Sequence, residues 1–379
     1  MKHLRHIFVV FIASLVLMAF FPGSGHADQE EIKIGFVVAT TGIYASAELS
    51  MVNGAKMAVE DINASGGIKG RKINLIIEDT GSQQHSAVNA FNRMAAQNPV
   101  AILDTALSTF VLAQMPEIKK AGIPTLPIGA NPKITQQDNP WIFRLRTSDG
   151  YVVVAATNFF LDVLKKQKIG LLRVSDEYGE GWETGIVSTM TKRGLKPVGI
   201  EVHAPTDKDM APHLMRLQKA GMDALIVSTH PTTHALIMKQ RKQLQISVPT
   251  LHSNSAIIPA TLALIDPVDS DGIYVTTDAV PTKDPDAKTK EWAERFEKKY
   301  NMVGEQHGAA CYDGVGMVAE AVREKGTDPK AIADYLRTIN RQGIGNYWKF
   351  DKTGEGGRQA MIVVFKGKSP EPIKRMIVD

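Results

Sequence analysis

The chain has 379 residues, with 44 basic and 40 acidic side chains, and the charges are interspersed without a basic block. That balance argues against nucleic acid or an anionic membrane as a partner. A single cysteine, Cys311, cannot form an internal disulfide, so the fold must rest on buried apolar area.

The first element is an export signal. Lys2 and Arg5 make a short basic start, residues 7–21 form an apolar run, and Pro22-Gly23 break it. Gly25-His26-Ala27 then offers small residues at the two positions a signal peptidase reads. The run is too short for a stable membrane span. Cys311 lies far from the cleavage site, which excludes a lipoprotein. The mature protein is therefore expected to start near Asp28, free and soluble in the periplasm. Taking Lys2 and Arg5 from the 44 basic residues leaves 42 against 40 acidic ones. A mature chain of about 350 residues exceeds one comfortable core, so two lobes are expected.

Strand and helix patterns then alternate. Residues 32–38 read as a strand, followed by a helix over 49–64 with Val52, Ala55, Val59 and Ile62 on one face. Gly66-Gly67 stops it before a strand at 73–78. A helix over 83–96 and a strand at 100–103 come next. Ser108 or Thr109 can N-cap a helix that carries Val111, Met115 and Ile118 on one face. Gly122 ends it before a strand at 123–126. The rhythm restarts after residues 141–145, with helices over 151–165, 182–193, 210–219 and 232–243. Strands at 169–174, 197–202, 224–227 and 249–251 alternate with these, and one more lies at 272–276. Helices over 287–300, 308–323 and 329–341 lead to 347–350, a Gly-rich turn and 361–365, which read as a closing hairpin. Cys311, in an apolar helical pattern, is expected in the core. This βαβα order implies α/β architecture, with two doubly wound parallel-sheet lobes.

A cleft is expected at the carboxyl ends of the strands. Those ends deliver residues 40–44, 104–109, 128–131, 175–179, 228–230, 252–255 and 276–278, crowded with hydroxyls and amides. Single loops of this kind only cap helices and make turns. Seven pointing one way suggest a polar small-molecule cleft.

Three stretches carry a resemblance. Residues 54–70, GAKMAVEDINASGGIKG, resemble the signature of the periplasmic leucine/isoleucine/valine-binding type, the substrate-binding subunits of ABC importers. Tyr178-Gly179-Glu180-Gly181 is similar to its YG-x-G loop, and Tyr312-Asp313-Gly314-Val315 to its YDAV helix. The resemblance implies a type I periplasmic binding protein, whose lobes are joined by a three-strand hinge and close around one ligand. It implies lobe I from 28–148 plus 279–355, and lobe II from 149–278 plus the C-terminal hairpin, 356–379. Permease subunits in the inner membrane are the implied partner.

By the same resemblance, the carboxylate-binding serine falls on Ser108, beside Thr109, and a backbone contact falls on Ile128. Free N–H groups at a helix start favour an anion there. Ser108→Ala is accordingly expected to cost affinity more than stability. The family's threonine is replaced by Ala130, its ammonium-binding acid by Asn254 and a tyrosine by Thr229, while its later aromatic falls near His307. An ammonium buried without a carboxylate costs several kcal/mol. Asp278, Asp104 or Glu177 would have to compensate. Otherwise the ligand is a carboxylic acid without a free α-amine, packed by Tyr44 and Tyr178, with His230, His252 and His307 as further donors.

Other readings fare worse. No Gly-x-Ser-x-Gly nucleophile elbow is present, and no catalytic residue or cofactor is expected. Glycines 179, 181 and 185 lack dinucleotide-loop spacing, and Glu177, Glu180 and Glu183 would repel a pyrophosphate. His230, His234 and His252 could hold a metal, but no acidic fourth ligand is obvious. A sensor presenting its closed form to a membrane receptor would look the same in sequence.

Overall fold

The computed structural model describes residues 31–377. The export signal expected at 1–27 lies outside them. Among the described residues, no helix is long and apolar enough to cross a membrane.

Four parallel strands form the first sheet: β1 (Ile32–Val38), β2 (Ile73–Asp79), β3 (Ala101–Asp104) and β4 (Thr125–Pro127), in the order β2-β1-β3-β4. Helices α1 (Ala45–Ala64), α2 (Gln84–Ala95) and α3 (Ser108–Ala121) connect them. The period of a strand sends alternate β1 side chains to opposite faces. Ile32, Ile34, Phe36 and Val38 join one core with α1, while Val37 joins another with α2 and α3.

The second sheet follows α4 (Asp149–Asn158), which continues into a π-helical turn at Phe159–Val163. Its parallel strands are β5 (Ile169–Val174), β6 (Gly199–His203), β7 (Ala224–Ser228), β8 (Thr250–His252) and β9 (Tyr274–Thr277). Between them run α5 (Glu177–Thr191), α6 (Ala211–Lys219), α7 (Pro231–Gln243) and the short α8 (Pro259–Leu262) and α9 (Pro267–Ser270). The chain then returns to the first lobe as α10 (Ala287–Tyr300), α11 (Gln306–Lys325) and α12 (Pro329–Leu336). Helix α11 packs on α1, and a Cβ at Gly54 would overlap the Gly308 carbonyl. Glycine there lets the two helices cross closely. Cys311 is fully buried in the same core.

Two expectations need correction. Residues 337–342 are not helical: α12 ends at Leu336, and β10 (Asn340–Gln342) pairs with β11 (Tyr347–Lys349). The closing hairpin is not 347–350 with 361–365. Instead β12 (Gln359–Lys366) pairs with β9 on one side and with β13 (Ser369–Ile377) on the other, both antiparallel. The two prolines of β13, Pro370 and Pro372, hid it from sequence reading. They are tolerated because β13 is the edge of the sheet order β13-β12-β9-β8-β7-β5-β6.

Three segments pass between the lobes, and polar side chains tie them together. Thr147 N–H donates to Asp278 Oδ2 (3.0 Å), Thr147 Oγ1 to Gln359 O (2.5 Å) and Gln359 Nε2 to Asp278 O (3.0 Å). Fully buried Arg144 pairs with Glu355 at 3.1 Å and also donates to Gly129 O and Asn131 O. A buried guanidinium needs several such acceptors to offset its lost hydration.

Candidate functional site

A cavity of about 230 Å³ lies between the two lobes, at the carboxyl ends of their strands. Tyr44 comes from the β1–α1 connection with Ala47 and Glu48 from the first turn of α1, and residues 106–110 come from the β3–α3 connection and the first turn of α3. The second lobe contributes Asp176 and Tyr178 after β5, His230 after β7, and Asn254 and Ser255 after β8. Arg146 enters from a crossing segment and His307 from the first turn of α11.

The start of α3 is the part of the wall richest in donors. Ser108 is not the N-cap, contrary to expectation: Leu107 holds that position without a side-chain cap, and Ser108 opens the helix. The Ser108 hydroxyl turns back instead, accepting from Ala130 N–H (3.2 Å) and Asn131 N–H (3.1 Å). Two donors on the oxygen leave its proton free and polarised. Thr109 Oγ1 is buried and has no hydrogen-bond partner among the described residues. Both hydroxyls sit where the N–H groups of a helix start also favour negative charge.

Opposite, Asp176 N-caps α5 through Gly179 N–H (3.0 Å), and its other oxygen meets His230 Nε2 at 2.7 Å. A Cβ at Gly179 would overlap the Val174 carbonyl, so glycine is needed where α5 leaves the strand. Burial works to raise the Asp176 carboxyl, but the hydrogen bond and charge of His230 hold it below the usual value. Tyr44 and His230 meet edge to face at 5.0 Å, His230 stacks on Tyr178 at 6.1 Å, and Tyr44 meets Phe110 at 6.2 Å. This aromatic wall spans both lobes. Burial raises the Tyr44 phenol to about 12, so it stays neutral.

Asn254 is occupied at both ends. Its Oδ1 accepts from Tyr178 OH (3.1 Å), and its Nδ2 lies 3.0 Å from His307 Nε2. Burial lowers the His307 imidazole, which suits a neutral ring accepting at Nε2. Glu48 accepts from Ala39 N–H (2.6 Å), Ala106 N–H (2.7 Å) and the Thr105 hydroxyl. Burial raises its carboxyl above the usual value. Arg146 faces Asp278 at 3.4 Å and Asp149 at 3.7 Å, so its charge is met from behind the cavity.

Of the residues singled out in the sequence, Tyr44, Ser108, Thr109, Tyr178, His230, Asn254 and His307 line the cavity, and His252 does not. Ile128, Ala130, Thr229 and Asp278 are not among the lining residues. Ile128 belongs to the core, Ala130 supports Ser108 through its N–H, and Thr229 Oγ1 meets His203 Nε2 at 2.8 Å. Asp278 is taken up by Arg146 and Thr147. Asp104 and Glu177 also stand off the cavity, and Glu177 pairs with Lys133. No carboxylate named to replace the missing acid at 254 therefore reaches the cavity. Arg146, Phe110 and Glu48 were missed, and Asp176 was placed at the cleft only as part of the 175–179 strand end. Asp176 had a readable signal, as an aspartate three residues before Gly179 at a helix start. Arg146 had none, since nothing local marks a crossing segment. Among the described residues, no group of His, Cys, Asp and Glu side chains could hold a metal ion. His234 and His252 bond each other, and His230 bonds Asp176.

Residues 31–368 match the family described as periplasmic binding protein. An amino acid binding protein of Pseudomonas aeruginosa is 27% identical over 337 residues, covering 86% of this chain and 87% of its own. Among solved structures, the branched-chain amino acid transporter substrate binding protein LivJ of Streptococcus pneumoniae, in complex with isoleucine, superposes with a TM-score of 0.83. It is 22% identical and covers 92% of this chain and 99% of its own. A solute binding protein of an ABC transporter from R. palustris, in complex with benzoate, superposes with a TM-score of 0.81 at 17% identity. The coverage is 92% of this chain and 98% of that one.

Proposed function

This chain belongs to the periplasmic binding protein family, and from that premise we propose that it captures a small carboxylic acid without a free α-amine and delivers it to an ABC importer. It is a binding protein rather than an enzyme, as its relatives are. Lobe I (28–148 plus 279–355) and lobe II (149–278 plus 356–379) close on the ligand, and contacts made by both lobes at once drive the population shift. The closed form engages permease subunits in the inner membrane.

The observation that carries this reading is the start of α3. Ser108 with a free proton, Thr109 with an unpartnered hydroxyl and the helix's own N–H groups converge on a cavity walled by aromatic rings. They suit a carboxylate attached to an apolar body. The cavity is smaller than the roughly 300–1,000 Å³ of drug-sized sites, which favours a small solute. An amino acid and an aromatic acid both occupy relatives of this fold, so this chain's own side chains must decide between them. The cavity's two carboxylates are poor ammonium partners. Glu48 is bonded on both oxygens, and an amine would compete with His230 for Asp176.

Titration calorimetry on ligand-stripped protein tests this. Benzoate or 4-methylpentanoate should bind, and leucine should bind at least about tenfold more weakly, the effect of a poorly compensated ammonium. Tight leucine binding with both acids failing would mean that Asp176 or Glu48 accepts the amine, and would refute the reading. Export is checked separately. Mass spectrometry of protein from the periplasm should find an N-terminus near Asp28, and an intact residue 1–27 segment would contradict a cleaved signal.

A further inference from the structure

We infer that Ser255 is a specificity-determining residue, fixed as a hydrogen-bond acceptor toward the cavity, and that the acid captured here carries a hydroxyl group opposite its carboxylate. This deepens the reading above and rests on it. The argument is one of proton placement. Ser255 lines the cavity. Behind it, Ser255 Oγ lies 2.8 Å from Thr229 O and 2.9 Å from His234 Nε2, and His234 Nδ1 lies 2.7 Å from His252 Nδ1. Both imidazoles are buried, and burial lowers both far below the usual histidine value, so they are neutral and share one proton between the two Nδ1 atoms.

That proton has two placements. Suppose it belongs to His234. Then His234 Nε2 is bare and takes a proton either from Ser255, in which case Thr229 O loses its donor, or from Ser253 Oγ, 3.3 Å away. His252 must then carry its own proton on Nε2, which has no partner among the described residues. A buried N–H without an acceptor is rare and costly. Suppose instead that it belongs to His252. His252 Nδ1–H then donates to His234, His234 Nε2–H to Ser255 Oγ, and Ser255 O–H to Thr229 O. Only a bare ring nitrogen is left over. The second placement satisfies more groups and commits the Ser255 proton.

What remains on Ser255 is a lone pair. Asp176, on the same lobe's side of the cavity, is also an acceptor, although one of its oxygens already meets His230. The wall built by α3 offers donors, and this wall offers acceptors. A ligand that matches both has a carboxylate at one end and a donor at the other. A hydroxyl meets that demand with one acceptor and without the desolvation cost of an ammonium.

Calorimetry with benzoate, 3-hydroxybenzoate and 4-hydroxybenzoate tests the inference on the wild-type protein and on Ser255→Ala. The better hydroxybenzoate should bind about tenfold tighter than benzoate to the wild type, the effect of one partly buried hydrogen bond. Ser255→Ala should bring that ratio close to one, whatever its effect on benzoate itself, and measurable benzoate binding shows that the variant is folded. Equal binding of benzoate and both hydroxybenzoates by the wild type would overturn this inference alone. A preference that survives Ser255→Ala would do the same. Failure of all three acids while leucine binds would overturn the carboxylic-acid reading, and this inference with it.

Discussion

Ser108→Ala should weaken binding of the ligand by about 1.5–3 kcal/mol, roughly tenfold to 150-fold, and should also lower the stability of the ligand-free protein by about 1–3 kcal/mol. The first effect is the loss of a charge-assisted hydrogen bond to a carboxylate. The second comes from the two backbone donors, Ala130 N–H and Asn131 N–H, that end on Ser108 Oγ. Both sit in buried surroundings, and alanine leaves them without an acceptor. The expectation from sequence, that affinity would suffer more than stability, therefore does not carry over. Thr109→Val separates the two effects. Its hydroxyl has no hydrogen-bond partner among the described residues, so the variant should keep full stability and still lose about 1 kcal/mol of binding. Calorimetry and urea denaturation measured on both variants decide the matter. Wild-type affinity in Ser108→Ala would remove the anion role from the start of α3.

The alternation of strands and helices was readable because the inner parallel strands β1, β3, β5 and β7 are short, almost fully buried apolar runs bounded by glycine or a polar turn. Ile169–Val174 is bounded identically in sequence and structure. The reading failed where tertiary context overrides local pattern. Residues 329–341 keep a helical look past Leu336, but the chain leaves the helix so that Asn340–Gln342 can pair with Tyr347–Lys349. Ser369–Ile377 carries two prolines and three charges, and only an edge position makes it a strand.

The site was half readable for a related reason. Residues at strand ends could be named because the fold puts all those ends on one side. Which of them reach the cavity depends on the neighbours they bond. Thr229 is turned away by His203, and Asp278 by Arg146. Asn254 shows the gain from seeing partners. As an amide it accepts from Tyr178 and faces a neutral His307 with its N–H, which an aspartate could not do. The substitution is thus matched by its surroundings, and the loss of the acid is built into the pocket.

Acid should destabilise this protein through the His234–His252 pair, with about 2 kcal/mol from His252 between pH 7 and pH 5 and His234 acting in the same direction. The ordinary imidazole value is about 6.5. Burial lowers His252 to about 3 and His234 well below its usual value, with the two rings, His203, His230 and Arg241 all opposing a further positive charge. Between these limits the unfolded chain binds protons that the folded one refuses. Stability from the pair is therefore fully present above pH 6.5 and falls as the pH drops toward 3. Other groups act in the opposite direction. Burial raises Asp313 to about 6, so it takes up its proton in the folded state first and gains stability as the pH falls. The contribution of the pair must be read as a difference between proteins. His252→Asn keeps an amide near the position of Nδ1 but cannot titrate, and it leaves Asp313 untouched. Urea denaturation at pH 7 and pH 5 should show the wild type losing about 2 kcal/mol more than His252→Asn over that interval. Equal losses in the two proteins would mean that His252 takes up a proton in the folded state as readily as in water, and that the pair does not hold the neutral relay behind Ser255.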